Sequence, residues 1–343
     1  MAGLVAAARA HELGADVVVL EKGERAGGSM VLSSGMVWRY EEWDRFRAEC
    51  PGGDAKLQRL VWEGLDENIE WLESQGVQAL QRDTGNPLTV GARFDTARLT
   101  QALAAKAGDV QLGRALTELP GGVPTVLATG GFQGDPGLVE RHITPEARSL
   151  VLRANPWSVG DGLRLALAAG ADTSAGMDQF YGRNMAAAPH ISPEDFVPLA
   201  QVYAKFARVE SLTGEPYEVK NWAEVDVVQW TARQPRARAR YIVPDEALGE
   251  PVRERTVSDV IEAARRAGAP VERMDGGTAV EVVAAITTTL GGIRVDENAR
   301  AAEGLYAAGA DVGGISTGGW SSALASALVL GKAAAEAAIS SLR

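Results

Sequence analysis

Cysteine is almost missing from this chain. Of 343 residues only Cys50 carries a thiol, so no internal disulfide can form and a reducing compartment is expected. Glu49 and Pro51 flank Cys50 and bring no cation to lower its pKa, so the thiol is read as inert. Histidine is also scarce, at His11, His142 and His190, and no metal site is predicted. Positive charge is in short supply: 34 Lys and Arg stand against 45 Asp and Glu, for a net charge of −11 and a pI near 5.0. That balance argues against a nucleic-acid or membrane-surface partner. Nor is there a long uninterrupted apolar run. Arg9, His11 and Glu12 break the first Ala-rich stretch, and no basic region precedes it, so no signal peptide is expected. Lys332 and Glu336 break the stretch from Ser321 to Leu342, which reads as a buried helix rather than a membrane span. A soluble, cytoplasmic protein is expected.

What the chain has is length for two domains with a sizeable core, and an ordinary composition of 46% hydrophobic and 23% charged residues. Its organising stretch is Val17-Val18-Val19-Leu20-Glu21-Lys22. Apolar, β-branched residues without helical period predict a short buried parallel strand with a carboxylate at its C-terminal edge. The preceding segment, Gly3 to Gly14, is Ala-rich and closes on glycine, which predicts a helix with a glycine stop. Helix, turn, strand and acid form the second half of a dinucleotide-binding βαβ unit, in which the acid receives hydrogen bonds from a ribose. Gly3 then stands as the third glycine of G-x-G-x-x-G, and the first two would lie upstream of Met1. A chain that starts late relative to a longer product and a remnant with weakened cofactor binding both fit that expectation.

Two further glycine turns follow, Gly27-Gly28-Ser29 and Ser33-Ser34-Gly35, whose small residues let backbone approach a phosphate closely. Later come Thr125-Val126-Leu127-Ala128-Thr129-Gly130-Gly131, then Asn155-Pro156-Trp157-Ser158-Val159-Gly160-Asp161-Gly162, and Gly304-Leu305-Tyr306-Ala307-Ala308-Gly309-Ala310-Asp311. Together these motifs resemble the FAD-binding domain of the fumarate reductase and succinate dehydrogenase flavoprotein superfamily. The resemblance runs along nearly the whole chain. It implies an α/β fold: a Rossmann-like, three-layer FAD-binding domain with a parallel sheet, at 1–179 and 292–343, and an inserted α+β capping domain at 180–291. It implies FAD contacts from Gly3, Glu21, Lys22, Gly27, Gly28, Ser29, Ser33, Ser34, Gly35, Ala128, Thr129, Gly130, Gly309 and Asp311. Asp161 is weighed as a helix cap ahead of a cofactor contact. A last helix from about Ser322 is expected to offer the N–H groups of Ala323 and Leu324 to the flavin. Covalent attachment in this superfamily uses a His near the G-G-S turn. Residues 22–45 contain none, so non-covalent FAD is expected.

Between Asp109 and Val123, where the superfamily carries a small three-stranded excursion, only a short connection is expected. Residues 38–76 carry apolar positions at helical spacing, with Trp62 and Trp71 read as core aromatics. Arg93-Phe94-Asp95 reads as a helix start, and Thr256 to Gly268 reads as a helix with Thr256 or Ser258 near its N-cap. The cluster Arg233 to Arg240 is read as a strand edge with solvated charges, and Gly291 to Asp296 as a strand entering a turn.

The superfamily's catalytic cations are where the resemblance breaks. Its H-P-T turn reads Tyr181-Gly182-Arg183, its His before the returning strand is a Thr within Thr287-Thr288-Thr289, and its H-G-x-N-R segment reads Ser316-Thr317-Gly318-Gly319-Trp320. Fumarate or succinate as substrate is therefore not expected. The implied function is an FAD-dependent oxidoreductase that moves a hydride between flavin N5 and a carbon of a small carboxylate or ketone. An electron-transfer partner is part of that implication. Tyr181, Arg183, Ser316 and Trp320 are expected to line the substrate side, with filling of the domain interface as the equal alternative. A 3-ketosteroid dehydrogenase-like desaturase and a non-catalytic remnant or partner subunit stay open.

Overall fold

Short polar side chains decide where the helices of this chain begin. In the computed structural model, which describes residues 1–218 and 224–342, the elements in order are α1 (Ala2–Glu12), β1 (Val18–Glu21), β2 (Met36–Tyr40), α2 (Trp43–Glu49), α3 (Ala55–Ser74), β3 (Thr89–Arg93), α4 (Thr96–Lys106), β4 (Asp109–Leu112), β5 (Thr125–Leu127), α5 (Pro136–His142), β6 (Val151–Leu152) and α6 (Asp161–Ala168). They continue as β7 (Phe180–Ala186), β8 (Arg208–Ser211), β9 (Pro216–Tyr217), α7 (Val225–Thr231), β10 (Arg238–Pro244), β11 (Pro251–Val252), β12 (Arg255–Thr256), α8 (Val257–Arg266), β13 (Val271–Met274), β14 (Gly277–Thr289), β15 (Arg300–Ala302), β16 (Leu305–Ala307) and α9 (Ala323–Ser340). Asp54, Asp95 and Ser322 accept first-turn N–H groups of α3, α4 and α9, satisfying donors that the helices leave unpaired. Thr256 and Asp259 form a reciprocal capping box on α8, at the predicted start.

Two compact units emerge. The first comprises Met1–Asp135, Asn155–Gln179 and Thr289–Arg343, Arg343 itself lying outside the described residues. Its core joins Val5 of α1, Val61, Leu65 and Leu72 of α3, Leu99 and Leu103 of α4, and Leu328 of α9. β1 pairs in parallel with β4, and β16 pairs in parallel with β5 and antiparallel with β15. Only the coil Gly113–Pro124 links β4 to β5, as expected. α9 is long and apolar enough to cross a membrane, yet 56% of it is buried inside the protein. Cys50 is fully buried, and burial with neighbouring Glu49 pushes its thiol up to about 12.

The second unit comprises Pro136–Ala154 and Phe180–Thr288. The expected insert, 180–291, also crosses residues 219–223, which lie outside the described residues. Pro136–Ala154, expected with the first domain, packs here instead. Val151 pairs with Ala285, and the Thr144 hydroxyl donates to the Ala232 carbonyl at 2.7 Å. The unit is built on a mainly antiparallel sheet ordered β13-β14-β10-β8-β9, with β6 and β7 also on the long strand β14. Tyr203, Val209, Tyr241, Val260 and Val282 fill its core.

Several expectations are corrected. β1 is not buried: Val18 and Leu20 are 58% and 41% exposed, because among the described residues the strand is paired only by β4. β10, carrying Arg238 and Arg240, is no edge; it lies between β14 and β8, and its charged side chains alternate onto one face, where Arg238 pairs with Glu281. Gly291–Asp296 does not form a strand. A Cβ on Gly291 or Gly292 would strike the Met177 or Asp311 backbone, and only Ile293 makes isolated bridges. Trp38 belongs to β2 rather than a helix, while Trp62 and Trp71 are only half-buried. Their indole N–H groups reach the Tyr40 carbonyl and the Glu12 carboxylate.

Thr256→Ala removes the α8 cap and is expected to cost about 1 kcal/mol. Denaturant unfolding measures it. Full stability in the variant, or a loss not recovered by Thr256→Ser, contradicts the capping account.

Candidate functional site

Every residue expected to contact the cofactor lies in the first unit. Gly3 faces Ala128 closely enough that an added Cβ would stand 3.3 Å from the Ala128 Cβ, which brings α1 tightly onto the end of β5. Glu21 closes β1, within electrostatic reach of the N-terminal end of α1. Its Oε1 accepts the Gly23 N–H at 2.7 Å. Lys22 and Asp161 meet each other: Nζ stands 2.6 Å from Oδ2. Asp161 is not the cap of α6, since Gly160 occupies that position in the left-handed region at φ 83° and Asp161 is the first helical residue. Its carboxylate instead pairs with Lys22, a partly exposed pair worth little by itself.

The small-residue turns converge on one segment. Gly27 takes φ 104°, and its turn places Ser29 so that Oγ accepts the Asn155 Nδ2–H at 2.7 Å. Asn155 Nδ2 also donates to Ser158 Oγ, which lies under Gly130. The Ser33 hydroxyl donates to the Met30 carbonyl and accepts the Gly35 N–H, while Ser33 and Ser34 stay exposed. Asn155, Trp157 and Ser158 were not singled out as site residues in the sequence, and their signal was the polar spacing N-P-W-S before G-D-G.

Asp311 ties two turns together. Its buried carboxylate accepts the Thr129 N–H, the Thr129 hydroxyl at 2.9 Å and the Gly131 N–H at 2.9 Å. Burial raises its pKa, and the Gly131 and Thr129 donors pull it back. The carboxylate expected to face a ligand's hydroxyls is thus committed to protein donors. Thr129 Oγ1 in turn accepts the Gly162 N–H, so the β5 turn, the β16 turn and the start of α6 form one hydrogen-bonded body. Gly309, at φ 71°, abuts Ala2. Ala323 and Leu324 open α9 half-buried, in the first turn, where N–H groups lack intrahelical acceptors.

The donor set fits a dinucleotide with a polyol arm: an acid at a strand end, glycine turns that allow close backbone approach, and the first turn of α9, where Ser322 takes the Ala325 N–H. FAD is such a group, and Glu21, Gly28, Ser29, Ala128, Thr129, Gly130, Ala323 and Leu324 are the residues that would hold it.

The four substrate-side residues divide between the units. In the first, the Ser316 hydroxyl shares a hydrogen bond of 2.6 Å with Ser321, and the Trp320 carbonyl accepts the Tyr40 hydroxyl at 2.8 Å. In the second, Arg183 stacks its guanidinium over Tyr181 at 5.0 Å from the ring centroid. Arg153, Arg253 and Glu224, which no sequence signal picked out, surround that pair. Burial, then Arg183 and Arg253, hold the Arg153 pKa down. Burial and Arg183 do the same to Arg253. Burial pushes Glu224 up to about 7, against the opposing pull of Arg183, the Ala204 N–H and Arg253. Among the described residues no group of His, Cys, Asp and Glu is arranged to hold a metal.

The family model described as "FAD binding domain" matches residues 1–120 and 123–322. A curated relative, the vinyl phenol reductase of Lactiplantibacillus plantarum, is 27% identical over 236 residues, 54% of this chain. The chain spans about half the length of that relative, 45%. The open conformation of a flavocytochrome c3 fumarate reductase superposes with a TM-score of 0.74 at 18% identity, covering 99% of this chain and 76% of that one. The 3-ketosteroid-Δ4-(5α)-dehydrogenase from Rhodococcus jostii RHA1 superposes with a TM-score of 0.72 at 19% identity, covering 98% and 94%. At these identities the two structures share the fold.

Asp311→Ala strips three donors of their acceptor, and unpaired buried donors cost about 1–3 kcal/mol each. A stability loss of roughly 3 kcal/mol is expected from urea unfolding, together with poorer flavin retention. An unchanged midpoint contradicts the clamp.

Proposed function

The chain belongs to the FAD binding domain family, and on that premise we propose that it is an FAD-dependent oxidoreductase acting on a small carboxylate or ketone other than fumarate or succinate. The observation that carries this reading is the Asp311-clamped pair of turns beside Glu21, in the chain that the family model spans. When bound, FAD supplies a hydride acceptor or donor. The protein's own contribution is positional and electrostatic. Glu21 would take the ribose hydroxyls as charge-assisted hydrogen bonds. The first turn of α9 would favour negative charge at its N-terminus. In the second unit the Tyr181 phenol can give or take a proton, and the Arg183 guanidinium orients an oxygen of the substrate. The first unit (1–135, 155–179, 289–343) acts as the cofactor domain and the second as the substrate-capping domain. An electron-transfer partner would complete the redox cycle.

Hydride exchange with a carboxylate-bearing substrate is preferred to a steroid because Arg153 and Arg253 stand near Arg183. A buried Arg183 with half-buried Arg153 beside it disfavours an uncharged ring system and favours an anion. Flavin is expected to be held non-covalently. Acid precipitation should leave a colourless pellet and a yellow supernatant, and a yellow pellet contradicts this. Glu21→Ala should lose about 2–3 kcal/mol of flavin affinity while the protein stays folded. Wild-type flavin content in that variant contradicts the ribose assignment.

A further inference from the structure

Arg183 is a buried cation without an ion-pair partner among the described residues. It is 9% exposed, and among the described residues its Nη1 finds no hydrogen-bond partner and no carboxylate lies within salt-bridge distance of it. Arg153 is held rigidly by neutral groups. Its Nε and Nη2 donate to the Phe196 carbonyl at 3.2 Å, and its Nη1 donates to Thr287 Oγ1 at 3.1 Å. Arg253 sits at φ 58° in the hairpin turn between β11 and β12. Arg255, two residues on, ties that hairpin to the Pro198 carbonyl at 3.0 Å. One segment, 196–198, therefore positions both Arg153 and the Arg253 turn.

Three like charges gathered around one phenol, without a salt-bridged carboxylate among the described residues, are costly unless an anion completes them. Glu224 is the carboxylate in electrostatic reach. Its Oε1 accepts the Ala204 N–H at 2.7 Å, and its buried Oε2 has no partner among the described residues. It compensates the cluster through space when ionised and leaves it uncompensated when protonated.

We propose that Arg153, Arg183 and Arg253 bind one carboxylate of a small-molecule ligand beside Tyr181, and that ionised Glu224 competes with that ligand for the same charges. The site rests on the proposed function only in taking the ligand to be the redox substrate, and its binding can be read without turnover. Arg183 on β7, Arg253 on the hairpin, Asp226 on α7 and the phenols of Tyr203 and Tyr241 face Glu224. The two arginines favour the ionised carboxyl, and Asp226 and burial oppose it. With Glu224 titrating at about 7, the cluster carries more net positive charge below that pH. A carboxylate therefore binds more tightly on the acid side and more weakly as pH rises.

The test titrates flavin-loaded protein with benzoate, a carboxylate that resists hydride addition, by calorimetry at about pH 6 and about pH 8. Flavin content is read separately by absorbance, so loss of cofactor and loss of ligand binding are told apart. Wild type should bind benzoate about tenfold more weakly at the higher pH, the limit over that span for one group that titrates at about 7. Arg183→Gln should weaken binding at least tenfold at both pH values. Arg253→Gln, at an exposed turn where folding is not at risk, should weaken it as well. Glu224→Gln, which keeps an acceptor for the Ala204 N–H, should hold the acid-side affinity at both pH values. Wild type that gives no benzoate heat, or an unchanged affinity in both arginine variants, overturns the site. A pH dependence that survives Glu224→Gln overturns the competition. Inorganic phosphate bound more tightly than benzoate overturns the carboxylate assignment.

Discussion

The buried carboxylate of Asp311 is the constraint on which the first unit depends. A charge out of water must be matched by donors, and here the Thr129 N–H, the Thr129 hydroxyl and the Gly131 N–H match it. Those bonds lock the turn after β5 to the turn after β16, and Thr129 passes the connection on to Gly162 at the head of α6. A Cβ on Gly162 would come within 2.7 Å of Asp311 Oδ2, so the glycine is needed for the approach. The glycines that look like a ligand's cradle are thus partly the cradle of a buried acid.

The second unit shows the opposite economy. Elsewhere its buried polar side chains pair with one another: Asn184 Nδ2 donates to Thr231 and Tyr241 at 2.9 Å, its Oδ1 being left without a partner among the described residues, and Tyr203 donates to Gln201 at 2.8 Å. Around Tyr181 the matching stops, and cations lie together without salt-bridged acids among the described residues.

Much of the fold was legible because its signals are local. The α1 stop at Gly14, the Asp95 and Thr256 helix starts and the run of β5 into its glycine turn each need only a few residues to be recognised. What failed were judgements of surroundings. Val17–Leu20 has the composition of a buried strand, but exposure is set by what pairs beside it, and β4 alone does so among the described residues. Arg238 and Arg240 have the alternation of an edge strand and lie within a sheet, because one face of β10 can be charged while the other fills the core. Asp161 has the chemistry of a cap but follows a glycine already in the cap position. Arg153, Arg183 and Arg253 lie far apart in the sequence, and only the folding of β6, β7 and the hairpin makes them neighbours. No spacing in the sequence encodes that meeting.

The central claim is that these turns hold FAD. Titration of flavin-stripped protein with FAD, followed by quenching of flavin fluorescence, tests it most directly. The account predicts saturable, equimolar binding that free riboflavin does not reproduce, because the ribose and pyrophosphate contacts lie on the adenosine side of the molecule. Fluorescence that falls no further with protein than with buffer, or riboflavin bound as tightly as FAD, would contradict it.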